Sequence, residues 1–251
     1  MKFPAKVRIC EDVTRDGFQS IDQVISVEDK LTILDMVTDA GVQCIEVGAF
    51  SSYESMKKMR NTSEVFKQLK QRGNVLYRAL VFAPDGAKEA SDCGLTMSGS
   101  ISLPFVSPFP GEGLIPMDTL TEIIKSFIDI GITEISLSDA AGLGTPALIY
   151  ERFMELQGIF PEVSWMLHMH NTYGMGLAGI TAALVAGVTK FDSSLAGLGG
   201  CPYLEGATGN VATEDLVFML NNMGIETGID LQKIIAAGQF VENLVDGKGT
   251  D

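Results

Sequence analysis

The sequence predicts an α/β barrel of the TIM (β/α)8 type, on three observations. Short apolar segments of strand length alternate with amphipathic segments of helix length along the whole chain. The strand-like segments are continuously apolar, as strands buried on both faces of a parallel sheet are. The 251 residues match the length of about 250 at which such barrels close as one domain. A doubly wound open sheet is the alternative, weakened because no G-x-G-x-x-G turn follows the first strand.

The elements follow in order. Residues 7–13 read as a strand. Residues 27–40 read as a helix, with Leu31, Leu34 and Val37 three apart, Ser26 as N-cap and Gly41 just beyond the end. A strand at 44–49, a helix at 53–71, a strand at 76–82 and a short helix at 85–93 come next. A strand at 99–105, a helix at 118–130 stopped by Gly131 and a strand at 134–137 follow. The helix at 146–158 carries Pro146 at its first position, where a missing N–H costs nothing. A strand at 163–169, a helix at 177–186 and a strand at 189–195 complete the wall, and helices at 213–223 and 230–243 close the chain.

Seven strands are clear, where a closed barrel of this type needs eight. The gap falls between 76–82 and 99–105, where Leu95-Thr96-Met97 runs into Ser98 with no helix between. The fourth β/α unit is expected to be missing or truncated near Met97 and Ser98. No linker, low-complexity segment or repeat beyond the alternation divides the chain, so residues 1–251 read as one catalytic domain.

Hydrophobic residues make up 46% and charged residues 20%, which excludes disorder. The net charge of −14 offers no footprint for nucleic acid or an anionic membrane surface. No apolar run reaches the roughly 20 residues of a membrane span. Cys10, Cys44, Cys93 and Cys201 are widely spaced, and Met1-Lys2-Phe3-Pro4 leads straight into a strand. Both features read as a reduced, cytoplasmic protein without a disulfide framework.

Several residues have the chemistry of a site. His168 and His170 are the only histidines, two apart at the end of a strand. Period 2 puts both on one face, at the end where barrel active sites form. Such a pair suits a divalent metal; the alternative is a buried pair satisfied by backbone. Arg15-Asp16-Gly17 follows the first strand, close to Gln19. Asp16 can supply a hard oxygen ligand, and Arg15 can hold a carboxylate or a developing enolate; otherwise the tripeptide is a turn with a surface ion pair. Glu46 is an acid in an apolar strand and is expected to pair with a cation such as Arg15. Gly197-Leu198-Gly199-Gly200-Cys201-Pro202-Tyr203 follows the strand at 189–195, with a thiol that can act as acid or base. Asn210 can lend an amide oxygen to a metal or serve as a turn residue. Asp139 is a further carboxylate at a strand end.

Together these pieces resemble the 3-hydroxy-3-methylglutaryl-CoA lyase family, within the metal-dependent lyases and aldolases on TIM barrels. The most specific matches are His168-Met169-His170-Asn171-Thr172-Tyr173-Gly174, the Gly-Gly-Cys-Pro-Tyr loop and Gly209-Asn210-Val211-Ala212-Thr213-Glu214-Asp215. The resemblance covers nearly the whole chain and is poor between about residues 83 and 107. It implies Asp16, His168, His170 and Asn210 as ligands of Mg²⁺ or Mn²⁺. It implies Cys201 as catalytic cysteine, Arg15 as catalytic arginine and Glu46 as the acid that fixes it. His168 is the candidate base, with Asp16 as the other. Arg15, Gln19, Asp139, Gly199 and Gly200 would contact the substrate. The implied reaction cleaves a 3-hydroxy-3-methylglutaryl-type CoA thioester to acetyl-CoA and a 3-keto acid such as acetoacetate, in a homodimer. The competing readings are a related aldolase or acyltransferase acting on a 2-oxo acid, and a catalytically impaired paralogue that binds without cleaving. Asn171 stands where the family usually has Asp, which removes a charge beside the histidines.

Overall fold

The computed structural model describes residues 2–50, 54–81, 90, 92–93, 95, 97–200 and 208–246. Its strands, in chain order, are β1 (Arg8–Glu11), β2 (Cys44–Phe50), β3 (Leu76–Val81), β4 (Gly99–Ser102), β5 (Val106–Ser107), β6 (Gly113–Leu114), β7 (Glu134–Asp139), β8 (Ser164–Met169) and β9 (Lys190–Ser193). Seven of them form one curled parallel sheet in the order β3-β2-β1-β9-β8-β7-β4, and β5 and β6 pair antiparallel as a separate ribbon. The helices are α1 (Val27–Asp39), α2 (Thr62–Gln68), α3 (Met117–Asp129), α4 (Pro146–Ile159), α5 (Gly176–Val185), α6 (Thr213–Asn222) and α7 (Leu231–Val245).

The alternation of strand and helix becomes a two-layer wall because each element has a face to bury. Ile9, Ile45, Val47, Leu137, Leu167 and Phe191 of the sheet are buried, as are Ile33, Leu34 and Val37 of α1. The expected helix starts hold: Ser26 Oγ accepts from Asp29 N at 3.0 Å, and Thr145 Oγ1 accepts from Leu148 N at 3.3 Å ahead of Pro146.

Two expected elements differ, and a third falls mostly outside the described residues. The helix expected at 53–71 is a 3₁₀ turn, Glu54–Met59, followed by α2. The break falls at Asn61, whose side chain accepts from buried Lys30 Nζ at 2.8 Å and donates to Ile25 O at 3.0 Å. Those tertiary bonds override the local helical pattern. β4 stops at Ser102, because Leu103 turns to a positive φ of 55°. The chain then enters the β5/β6 ribbon, which hydrophobic periodicity gives no sign of. The short helix expected at 85–93 lies mostly outside the described residues.

β3 and β4 are the two ends of the sheet, and among the described residues neither has a neighbour on its outer edge. This open seam lies where the fourth β/α unit is expected to be missing. Closed barrels fill their interior with side chains. Here Ser100 and Ser102, which sit on alternate positions of β4 and line the interior cavity, stay exposed.

β1 and β9 meet across the middle of the sheet, from Arg8↔Lys190 to Glu11↔Ser193. Glu11, 1% exposed, clasps this junction. Its Oε1 accepts from Val13 N at 3.0 Å and Leu195 N at 2.9 Å, and its Oε2 from Thr213 Oγ1 at 2.6 Å. Burial pushes its carboxyl up to about 8.

Candidate metal and active site

The site begins at the end of β1. There Val13–Gly17 forms one π-turn, a local unwinding often found at functional positions. It turns Arg15 and Asp16 into the barrel mouth. Arg15 is held by three carboxylates. Its Nε and Nη2 donate to Glu46 Oε2 at 3.0 and 2.9 Å, Nη2 also donates to Asp12 Oδ2 at 2.7 Å, and Nη1 donates to Asp16 Oδ1. The pairing of Glu46 with Arg15 is as expected. Two Arg15 nitrogens on one Glu46 oxygen fix the guanidinium plane.

β8 delivers His168 and His170 with ring centroids 5.3 Å apart. His168 Nε2 lies 4.0 Å and His170 Nε2 3.6 Å from Asp16 Oδ2. Asp16, His168 and His170 are all buried, with ligand atoms within 4.8 Å of one another. His170 Nδ1 meets Thr208 O at 3.0 Å, which aims Nε2 at the carboxylate. His168 Nδ1 lies 3.4 Å from Asp192 Oδ2.

Asn210 faces the same point. Its backbone bridges to His170. Its Nδ2 donates to Asp16 Oδ2 at 2.7 Å and Leu198 O at 3.0 Å, while Oδ1 is buried with no hydrogen-bond partner among the described residues. A buried acceptor left unpaired is costly. A cation beside Asp16 would satisfy it, and the set of two imidazoles, one carboxylate and one amide oxygen suits Mg²⁺ or Mn²⁺. Gly199 closes one side. At its φ of 131° a Cβ would sit 2.2 Å from Asn210 Nδ2 and 3.0 Å from Asp16 Oδ2, so only glycine permits this approach.

The electrostatics follow from the crowding. Burial opposes the charge on Asp16, but Arg15 and both histidines outweigh it and hold the carboxyl below its usual range. Burial drives Asp12 well up, against the pull of Arg15. Burial and the neighbouring His168 bring His170 down to about 4, leaving a neutral imidazole suited to ligation. For His168, burial is outweighed by Asp192 and Asp16, and the net shift is upward.

Arg15, Asp16, Gln19, Glu46, His168, His170 and Gly200 all line one cavity of about 510 Å³. Asn210 and Gly199 adjoin it through Asp16. Asp139 does not line it. Its carboxylate accepts from the amides of Gly142, Leu143 and Gly144 at 3.0, 3.4 and 2.7 Å, and so shapes the loop after β7. Asn171 Oδ1 accepts from Gly176 N at 3.2 Å at the start of α5. Cys201 lies outside the described residues. Sequence reasoning passes over three groups, Asp12, Arg78 and Asp192. Arg78 and Asp192 carry the signal that singles out Glu46, a charge within an apolar strand. Arg78 is buried and forms an ion pair with Glu134, which also takes Arg8 at 2.8 Å and Lys190 at the floor of the barrel.

The fold and site define a parallel α/β barrel wall with an acidic, histidine-bearing centre at its C-terminal mouth. The HMGL-like family model matches residues 6–97 and 105–241, and the chain belongs to that family of lyases. It is 34% identical over 279 residues to hydroxymethylglutaryl-CoA lyase, mitochondrial, of Macaca fascicularis, covering 95% of this chain and 85% of the relative. It is 34% identical over 284 residues to the 3-hydroxy-3-isohexenylglutaryl-CoA/hydroxy-methylglutaryl-CoA lyase of Pseudomonas aeruginosa, covering 96% and 93%. The solved structure of an HMG-CoA lyase from Acinetobacter baumannii in complex with coenzyme A and 3-methylmalate superposes with a TM-score of 0.91 at 26% identity, covering 98% and 93%. Both sequence matches are longer than the 251 residues of this chain, and the family match breaks between residues 97 and 105. The relatives carry extra residues, and the break falls beside the seam. Among the described residues no helix is long and apolar enough to cross a membrane.

Proposed function

We propose that this chain cleaves 3-hydroxy-3-methylglutaryl-CoA, or a close branched 3-hydroxyacyl-CoA, to acetyl-CoA and a 3-keto acid such as acetoacetate. The observation that carries the reading is the convergence of Asp16, His168 and His170 beside Arg15, with the Asn210 amide hydrogen-bonded to Asp16. Asp16, His168, His170 and Asn210 would hold Mg²⁺ or Mn²⁺, which supplies Lewis acidity toward the tertiary hydroxyl and a substrate oxygen when bound.

The chain's own groups supply the rest. His168, with Nδ1 3.4 Å from Asp192 Oδ2 and Nε2 turned to Asp16, is the candidate base for the hydroxyl proton, with Asp16 as the other. Removal of the hydroxyl proton makes the C–O double bond as the adjacent C–C bond breaks, leaving its electron pair on the thioester enolate. Arg15, fixed by Glu46, stabilises the negative charge that develops. Cys201 protonates the enolate carbon to give acetyl-CoA. Gln19 and Gly200, on the cavity wall, would contact the substrate. The reading includes a homodimer; light scattering tests it.

The test of function is acetyl-CoA release from 3-hydroxy-3-methylglutaryl-CoA. Activity should disappear with a chelator and return with Mg²⁺ or Mn²⁺. No release with either ion would overturn the reading.

A further inference from the structure

A guanidinium carries five N–H donors, one on Nε and two on each Nη. In Arg15 four of them are taken among the described residues. Nε and one hydrogen of Nη2 go to Glu46 Oε2, the second hydrogen of Nη2 goes to Asp12 Oδ2, and one hydrogen of Nη1 goes to Asp16 Oδ1. The donor left over is on Nη1. Both Glu46 bonds end on one oxygen, so alone they let the group swing about that atom within its own plane. Asp16 holds Nη1, but its carboxylate also faces both histidines and accepts from Asn210. Asp12 Oδ2, at 2.7 Å from Nη2, gives Arg15 a separate anchor; His168 Nδ1, at 3.7 Å, is too far to share it.

Charge balance does not call for Asp12. It is 1% exposed, and Glu46 and Asp16 already outnumber the single charge of Arg15. A third acid buried beside one cation costs stability, and an apolar residue of similar size would serve the fold better. The sheet sets its place. Asp12 N donates to Ser193 O at 2.8 Å, which extends the β1–β9 ladder, and Asp12 O accepts from Arg15 N and Gly17 N at 3.1 and 3.2 Å. Arg15 lines the cavity, and Asp12 lies behind it.

We propose that Asp12 is a positioning residue for Arg15, holding Nη2 so that Nη1 offers its remaining hydrogen to the enolate oxygen that develops in cleavage. This rests on the lyase reading above. Asp12 acts by fixing a donor in advance where charge appears, which favours the transition state over the bound substrate.

The experiment is a double-mutant cycle read by acetyl-CoA release from 3-hydroxy-3-methylglutaryl-CoA. Asp12→Leu keeps the volume and removes the acceptor. It should lower kcat about 10–100-fold, the worth of one hydrogen bond to a charged group, with KM little changed and thermal stability equal or higher. In an Arg15→Lys background the same substitution should change kcat less than about twofold, because no guanidinium remains to be held. Asp12→Asn, which keeps an oxygen for Nη2, should retain kcat within about threefold of the wild type. An equal loss in both backgrounds, or a loss in Asp12→Asn as large as in Asp12→Leu, overturns the inference. If the wild type cleaves nothing, the lyase reading fails by itself. Side-chain ¹⁵N NMR of arginine-labelled protein then decides the anchor, with Arg15→Lys assigning the signals. Separate Nη1 and Nη2 resonances of Arg15 in the wild type and Asp12→Asn, merged in Asp12→Leu, support it. Resonances already merged in the wild type, or unchanged in Asp12→Leu, overturn it.

Discussion

Replacing Glu11 by glutamine should make the protein more stable at alkaline pH. In the fold the Glu11 carboxyl is buried, and burial raises it from 4.5 to about 8. A group raised in the fold contributes stability that is complete below its unfolded value and is lost as pH rises through the folded one. The window is therefore pH 4.5 to 8. At about 1.4 kcal/mol per pH unit, the loss across it is roughly 4–5 kcal/mol. Glutamine mimics the protonated acid: its oxygen can accept from Val13 N and Leu195 N, and its amide can donate to Thr213 Oγ1. Urea unfolding of both proteins at pH 5 and pH 9 measures the difference. We expect stabilities within about 1 kcal/mol at pH 5 and a glutamine variant more stable by about 3–5 kcal/mol at pH 9. A stability difference that is the same at both pH values would refute the reasoning.

Arg15→Lys keeps the charge but cannot reproduce the guanidinium contacts to Glu46, Asp12 and Asp16; kcat should fall about 10²–10³-fold with KM little changed, by steady-state acetyl-CoA release. Gly199→Ala forces a methyl into Asn210 and Asp16; elemental analysis across a metal titration should show affinity lowered about 10–100-fold. Cys201→Ala should lower turnover far more than substrate affinity, because a proton donor to carbon acts in the transition state; unchanged kcat would remove the thiol from the mechanism.

The seven parallel strands, the ends of α1 and α4 and the gap after β3 are legible in the sequence because each rests on local pattern: period, caps and length. The cluster of Asp16, His168 and His170 is legible because β-strand period and strand-end position fix where His168 and His170 point, and Asp16 follows another strand at the same end. Asp139 misleads for the same reason. Its strand-end position resembles that of a ligand, but the amides of Gly142 and Gly144 claim its oxygens, and loop geometry is not written in periodicity. Asp192 and Arg78 are harder to place. Their roles depend on which strands become neighbours, and that order is decided by tertiary packing. The break at Asn61 is likewise a long-range effect, made by Lys30 on another helix.

The order of the sheet also determines when the chain can finish folding. β1, β2 and β3 come from the first third of the sequence, and the ladder that joins them to the other strands is β1 with β9. The clasp across it links Glu11 to Leu195, 184 residues away. A closed ring would supply a second junction, but among the described residues the seam supplies none. Nascent β1 therefore waits for the last strand of the sheet to be synthesised. At about 5–20 residues per second that wait is on the order of ten to forty seconds. Throughout it, β1 presents unpaired N–H and C=O groups along the edge reserved for β9. Any other extended segment that binds there first must leave before the barrel wall can form.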